Sequence, residues 1–161
     1  MIVEIKLTKG KVAIVDECDR DLVQHHSWYA KCDNGIWYAS TRVAAGMISM
    51  HRLLTDSPEL EVDHIDGDGL NNRRNNLRVC THADNIRNQR KHQRKGGCSS
   101  RFKGVCWDKY NRKWRATIVP SGKKLYLGLF VQEEDAARAY DEAARIHYGE
   151  FARLNFPDNP P

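Results

Sequence analysis

No two cysteines in this chain stand in a Cys-x-x-Cys spacing, and the five present, Cys18, Cys32, Cys80, Cys98 and Cys106, are odd in number. That argues against a disulfide framework and against a zinc ribbon. Also missing is any run of the ~18–20 apolar residues that a membrane-spanning helix needs, and the N-terminus lacks a basic-then-apolar signal pattern. The expectation is an intracellular protein with reduced thiols and no membrane partner. No heptad pattern or long apolar helix is present to specify a dimer, so a monomer with no obligatory protein partner is favoured. One stretch lacks acid altogether. Between Asp84 and Asp108 there is no carboxylate, whereas Arg87, Arg90, Lys91, Arg94, Lys95, Arg101 and Lys103 all fall there. An acid-free cationic run suits a polyanion, and the expected partner is nucleic acid.

Hydrophobic residues make up 40% of the 161 positions and charged residues 29%, enough apolar material for a core. Residues 1–55 read as a β-rich lead-in that packs against residues 56–92. Ile2 to Leu7 and Val12 to Val15 are β-favouring runs joined by Thr8-Lys9-Gly10-Lys11. Trp28 to Ala30 and Ile36 to Ala39 flank Asp33-Asn34-Gly35, a strong turn signal. Asp19 to Gln24 fits a helical turn or two, and Met47 to Leu54 is apolar without a clear period. His25-His26 is read as a polar loop pair and His51 as a packing residue.

Residues 56–92 carry the densest chemistry. Leu60 to Ile65 and Leu77 to Cys80 read as strands around a Gly- and Asn-rich loop, Asp66-Gly67-Asp68-Gly69-Leu70-Asn71-Asn72. Thr81 and Asp84 resemble a capping box, which places Asn85 in the first turn of a helix. An imidazole at His64 can take a proton from water at neutral pH, and the carboxylate of Asp63 can hold a divalent cation. Adjacent strand residues face opposite sides, so the two share a site only where the strand ends or bulges. A Ca²⁺ loop at Asp66 to Gly69 fails on spacing, because Leu70 and Leu77 stand where further oxygen ligands are needed. Asn71, Asn72 and Asn75 read as turn formers, and His82 is the alternative to Asn85 as a ligand.

Over about residues 50–95 the chain resembles the HNH endonuclease family, in the subgroup whose third signature residue is Asn. The likeness rests on Val62-Asp63-His64-Ile65-Asp66-Gly67, Leu70-Asn71-Asn72, Asn76-Leu77-Arg78 and Asp84-Asn85. It implies a strand-strand-helix (ββα-metal) nuclease core, with His64 as general base, Asp63 and Asn85 as ligands of one Mg²⁺ or Mn²⁺ per site, and Asn76 bracing the loop that holds the histidine. A homing-type or phage-encoded role is implied by the same likeness, with the cytoplasm of a bacterial host as the location if the chain is phage-encoded.

Residues 93–100 read as a basic, flexible linker and residues 101–157 as a second module. Lys103 to Trp107, Lys113 to Val119 and Lys124 to Phe130 give strand signals. Trp114, Ala116 and Ile118 alternate with Lys113, Arg115 and Thr117, while Leu125 and Leu127 alternate with Lys124 and Tyr126. A helix from Gln132 to Tyr148 should cover the apolar face with Ala136, Tyr140, Ala143, Ala144 and His147. Phe102-Lys103-Gly104-Val105, Trp114 to Ile118, Leu127 to Phe130, Glu134 to Ala144 and Leu154 to Pro157 look like the plant ethylene-response-factor domain of the AP-two type. That resemblance implies a sheet on duplex DNA, with Lys103, Arg115, Thr117, Lys124 and Tyr126 at the interface beside Arg87, Arg90, Lys91, Arg94 and Lys95. Cys106, Asp108 and Val119 depart from the family where further arginines stand, so its target sequence does not transfer. The whole is expected to be α+β: a metal-dependent DNA endonuclease, site-directed and nicking or homing-like, with a DNA-binding sheet. The alternative is a DNA-binding regulator with an inactive nuclease fold.

Overall fold

The computed structural model describes residues 1–44, 46–57, 60–89 and 99–157. It mixes helices and antiparallel sheets, an α+β chain, in two compact units, Met1–Asn85 and Ile86–Pro161.

In the first unit β1 (Ile2–Lys6) and β2 (Val12–Asp16) form a hairpin. A one-turn helix α1 (Arg20–Val23) leads to a meander of β3 (Tyr29–Asp33), β4 (Ile36–Val43) and β5 (Gly46–Ser49). The β3–β4 turn is the expected one: Asn34 and Gly35 both take positive φ, 48° and 84°, as a tight hairpin with right-handed twist requires. Where Met47 to Leu54 shows no single period, the chain changes state. It runs as β5 to Ser49 and as α2 (Met50–Thr55) after it, so two short elements share one apolar run. Then come β6 (Glu61–His64), β7 (Leu77–Cys80) and α3 (His82–Asn88), the last crossing into the second unit.

Ala13, Val15, Val23, Trp28, Ala30, Ala39, Met50 and Leu54 form the core of the first unit, and Leu70 and Leu77 pack on it. Each large side chain among them contributes about 1.5–3 kcal/mol by leaving water. The indole of Trp28 donates to the Val23 carbonyl at 2.8 Å, so its burial leaves no unmet donor. The N-terminal hairpin and the loop between β6 and β7 are therefore parts of one packed body.

The second unit holds β8 (Val105–Asp108), β9 (Lys113–Ile118) and β10 (Leu125–Phe130) in the order β10-β9-β8, with α4 (Glu133–Tyr148) packed on one face. Trp114, Ala116 and Ile118 point into that contact, against Ala136, Ala137, Tyr140 and Ala144. Leu127 packs on the core as expected, and a bulge between Tyr126 and Gly128 then breaks the alternation, so that Leu129 lies opposite Arg115 on the uncovered face. His147, expected on the buried face of α4, is exposed, and Tyr148 packs there instead. Asp141, 2% exposed, accepts from the backbone N–H groups of Asn155 and Phe156 at 2.8 and 2.9 Å. Asn155 in turn accepts from the Lys103 N–H at 2.7 Å, which ties the tail to the entry of the sheet.

Gly104 is a position where only glycine fits. Its φ is +77°, and a Cβ there would lie 1.9 Å from the Tyr140 ring. Gly104→Ala should cost about 2–4 kcal/mol from backbone strain and overpacking together. Urea denaturation of the full chain checks this, and a loss below ~1 kcal/mol, inside the range of ordinary surface changes, would contradict the close approach.

Candidate functional site

β6 and β7 pair with Glu61 opposite Cys80, Asp63 opposite Arg78 and His64 opposite Leu77. The strand is regular through His64, so alternation sends Glu61 and Asp63 to one face and His64 to the other. On the first face α3 closes over Glu61. Asn85 donates its side-chain amide to Glu61 Oε2 at 2.5 Å, and His82 Nδ1 lies 2.6 Å from Glu61 Oε1. These bonds, that from Asn85 first, hold the Glu61 carboxyl below its usual range. Thr81 fixes the start of α3: its Oγ accepts from the Asp84 N–H at 3.2 Å, and its hydroxyl donates to the Asp84 carboxylate at 2.7 Å. Asp63 and Arg78 form an ion pair at 2.7 Å with side chains only 7% and 10% exposed.

The second face is aromatic. The His64 ring centroid lies 5.0 Å from that of His51, edge to face, and 5.9 Å from that of Tyr38. Burial pulls the His64 pKa below its ordinary value, against the Asn72 bond and the nearby Asp66, Asp63 and Asp68. His51 is driven further, to about 3, by burial and then by His64 and Arg52. Both rings are therefore neutral at physiological pH, and two imidazoles can sit together without repulsion.

The loop between the strands is a network of carboxamides and carboxylates. Asn76 Oδ1 accepts from the Asp66 N–H at 3.1 Å, while its amide donates to Asp66 Oδ1 at 3.0 Å and to the Asn71 carbonyl at 2.7 Å. Asp66 also takes the Asp68 N–H at 2.8 Å and the Asn71 amide at 2.7 Å. Burial alone would raise Asp66, but these bonds outweigh it and hold the carboxyl low. From outside, Asp16 and the fully buried Asp19 clamp Arg73 and Arg74, with Arg74 Nε 3.0 Å from both Asp19 oxygens.

Among the described residues no three His, Cys, Asp or Glu side chains converge as a metal cage. What β6 and α3 present instead are hard oxygens: Glu61, Asp63 and the carboxamide of Asn85. That donor chemistry fits Mg²⁺ or Mn²⁺, which are commonly held by one or two protein oxygens, with substrate phosphate and water completing the shell.

The strand-strand-helix and its residues fall within a known pattern. Residues 56–87 match the HNH endonuclease family. Asp63, His64, Asn76 and Asn85 all lie within that matched segment, on β6, before β7 and on α3. Curated relatives match another property. An AP2-like ethylene-responsive transcription factor of Arabidopsis thaliana is 42% identical over 59 residues, 37% of this chain and 19% of that protein. Dehydration-responsive element-binding protein 2E of the same plant is 41% identical over 68 residues, covering 37% of this chain and 28% of its own length. Protein PPLZ02 of Lupinus polyphyllus is 44% identical over 59 residues, 37% and 35% of the two chains. This chain therefore spans about a third or less of these relatives.

On the uncovered face of the second unit's sheet, Arg115 lies across from Leu129 and Cys106, and Thr117 across from Tyr126. Tyr126 is 57% exposed, and Lys124 is exposed just before β10. The Arg115 guanidinium lies 3.4 Å from Asp108 and from the Cys106 sulfur. Lys103 departs from the expected arrangement: its ammonium donates to the carbonyls of Arg87 and Gln89, and burial lowers its pKa to about 8. The Arg87 guanidinium stands 5.3 Å from the Tyr148 ring. Arg90, Lys91, Arg94, Lys95 and most of the 93–100 linker lie outside the described residues.

Three residues escape a reading of sequence alone. Glu61 carries one signal, since it stands two places before Asp63 on one strand. Asn72 looks like another turn residue, yet it is 0% exposed. His51, a packing residue by sequence, does pack, but against His64. Because three bonds converge on Asn76, Asn76→Ala should lower the stability of the full chain by about 2–4 kcal/mol, leaving buried partners unmet. Denaturant unfolding reads this; a change under ~1 kcal/mol, no more than one ordinary hydrogen bond, would mean the loop closes without it.

Proposed function

We propose that the chain is a metal-dependent DNA endonuclease of the HNH type, directed to its substrate by the sheet of the second unit. The observation that carries this reading is the buried His64 that ends β6 directly after Asp63, so that the two side chains, on opposite faces of the strand, can reach one phosphate around its end, inside the segment that matches the HNH family. Asp63 and Asn85 would hold one Mg²⁺ or Mn²⁺, which when bound neutralises charge on the phosphate and on the departing oxygen. His64 takes a proton from water as the water oxygen bonds to phosphorus and the bond from phosphorus to the 3′ oxygen breaks. The walls of Tyr38 and His51 keep the ring in one place, and Asn76 holds the loop that follows it. Arg78 balances the Asp63 charge until substrate and cation share it.

One Asp63-His64-Asn85 set per chain can attack one phosphodiester at a time, so a monomer leaves a nick. A homing-like or phage-type role is part of the same proposal and rests on the family resemblance alone. Arg115, Thr117, Lys124 and Tyr126 would meet the duplex from the open sheet face, with the cations of residues 87–95 on phosphates. A second reading, a DNA-binding regulator without cleavage, is favoured by the transcription factors among the relatives.

A supercoiled plasmid carrying a cleavable site separates the two. Open circles should accumulate before linear DNA when Mg²⁺ is present and vanish with EDTA. His64→Ala should slow cleavage by at least ~10²-fold, within the range for a lost general base, while DNA affinity stays near wild type. Binding without any metal-dependent cutting would leave the regulator reading. Arg115→Ala should weaken duplex binding by ~1–3 kcal/mol and relax preference at one base pair if the guanidinium reads a base. A uniform loss across unrelated duplexes, measured by fluorescence anisotropy, would assign Arg115 to phosphate alone.

A further inference from the structure

Asn72 is fully buried beside His64. Its backbone is fixed from outside the HNH motif, because the Asn72 N–H donates to the Ile14 carbonyl of β2 at 2.8 Å. Its side chain is fixed as well: Nδ2 donates to the Leu70 carbonyl at 3.1 Å. With the amide nitrogen committed there, the carboxamide oxygen faces the opposite way, where it lies 3.3 Å from His64 Nε2. A carboxamide oxygen accepts and never donates, so the hydrogen between these two atoms belongs to Nε2. In a neutral imidazole the other nitrogen, Nδ1, then carries the lone pair. The opposite tautomer would set a bare ring nitrogen against a bare oxygen in a buried place, at the cost of an unmet pair. The contact is long for a hydrogen bond, as catalytic contacts commonly are before substrate binds.

We propose that Asn72 is a positioning residue for the cleavage reaction: its Oδ1 fixes His64 as the Nε2–H tautomer, so that Nδ1 takes the proton from the attacking water. This rests on the nuclease reading of the site. The step balances as a hydrolysis: the O–H bond of water breaks toward Nδ1 and its oxygen bonds to phosphorus. The 3′ oxygen leaves with the electron pair and is protonated from solvent. The N-terminal hairpin thereby acts on the chemistry through the Ile14 to Asn72 bond, one residue removed from the imidazole.

The test reads the tautomer directly. Long-range ¹H–¹⁵N spectra of the labelled full chain at neutral pH, without DNA or metal, are assigned for His64 by comparison with His64→Ala. The wild type should show Nδ1 bare and Nε2 protonated. Asn72→Leu, which removes the acceptor at similar volume, should give averaged tautomers. Asn72→Asp, which keeps an acceptor, should retain the wild-type pattern. In plasmid nicking, Asn72→Leu should lower kcat by about 10–100-fold, the size of effect seen when the partner orienting a metal-bound histidine is lost, with KM little changed. Asn72→Asp should recover part of that loss. A wild-type proton on Nδ1 overturns the proposal, as does an Asn72→Leu chain with unaltered tautomer and kcat. The wild-type spectrum alone decides the tautomer if a variant fails to fold. A folded wild-type chain that cuts no DNA counts against the nuclease reading, not against the tautomer.

Discussion

Two backbone hydrogen bonds hold the site in register. Ile14 of β2 donates to Leu70 at 2.9 Å and accepts from Asn72 at 2.8 Å, a one-residue parallel bridge between the N-terminal hairpin and the loop after β6. Without it the loop would depend on its own polar side chains, which are short and compete with water. With it, Leu70 packs on the hydrophobic core and Asn72 is brought within 3.3 Å of the His64 Nε2. Asp16 and Asp19, at the end of β2 and just beyond it, extend the grip to Arg73 and Arg74. A polar, glycine-containing loop is thus tied by hydrogen bonds and ion pairs to the N-terminal hairpin and the turn after it, the kind of support a preorganised site needs.

Strand alternation then divides the labour. Oxygen donors and their cationic partner, Glu61, Asp63 and Arg78, occupy one side of the β6–β7 ribbon, and the imidazole with its aromatic walls occupies the other. The two environments push titration in different ways. Hydrogen bonds from Asn85 and His82 keep the Glu61 carboxyl charged, while burial keeps the imidazoles neutral. The proposed nuclease reaction would ask for these opposite states, a charged carboxylate and a neutral imidazole, and a two-stranded ribbon supplies both within four residues of chain.

Much of this was legible in the sequence, and what was not has physical reasons. Turn chemistry located the Asn34-Gly35 hairpin, and the Thr81 to Asp84 spacing located the start of α3, because both signals are local. Apolar alternation placed Trp114, Ala116 and Ile118 against α4. The β10 bulge escaped, since one extra residue changes every later side without altering composition. Asn72 escaped because turn-forming and buried asparagines look alike until a distant strand is brought beside them, and Ile14 is 58 positions away in the chain. Lys103 is placed at the duplex by the resemblance to the plant domain, yet two carbonyls accept from its ammonium. Charge type is readable from sequence; the partner that satisfies it is not.

The second unit shows the same limit from the side of recognition. Its open face sets Arg115 beside Asp108 and Cys106, so the guanidinium is already partly neutralised before any duplex arrives. Replacing Asp108 by a base edge or a phosphate exchanges one partner for another, and the gain in affinity is the difference between them. If it meets DNA as proposed, such a face would contribute discrimination more than attraction, because wrong sequences would fail to compensate for the lost carboxylate. Attraction must then come from elsewhere in the chain. The acid-free stretch between Asp84 and Asp108 would suit that role: its cations lie in sequence between the segment that matches the HNH family and the sheet, where the proposed salt-dependent hold on phosphates would serve both. On the proposed reading, charge density and readout fall to different segments, and neither has to compromise the oxygen-lined ribbon to which the chemistry is assigned.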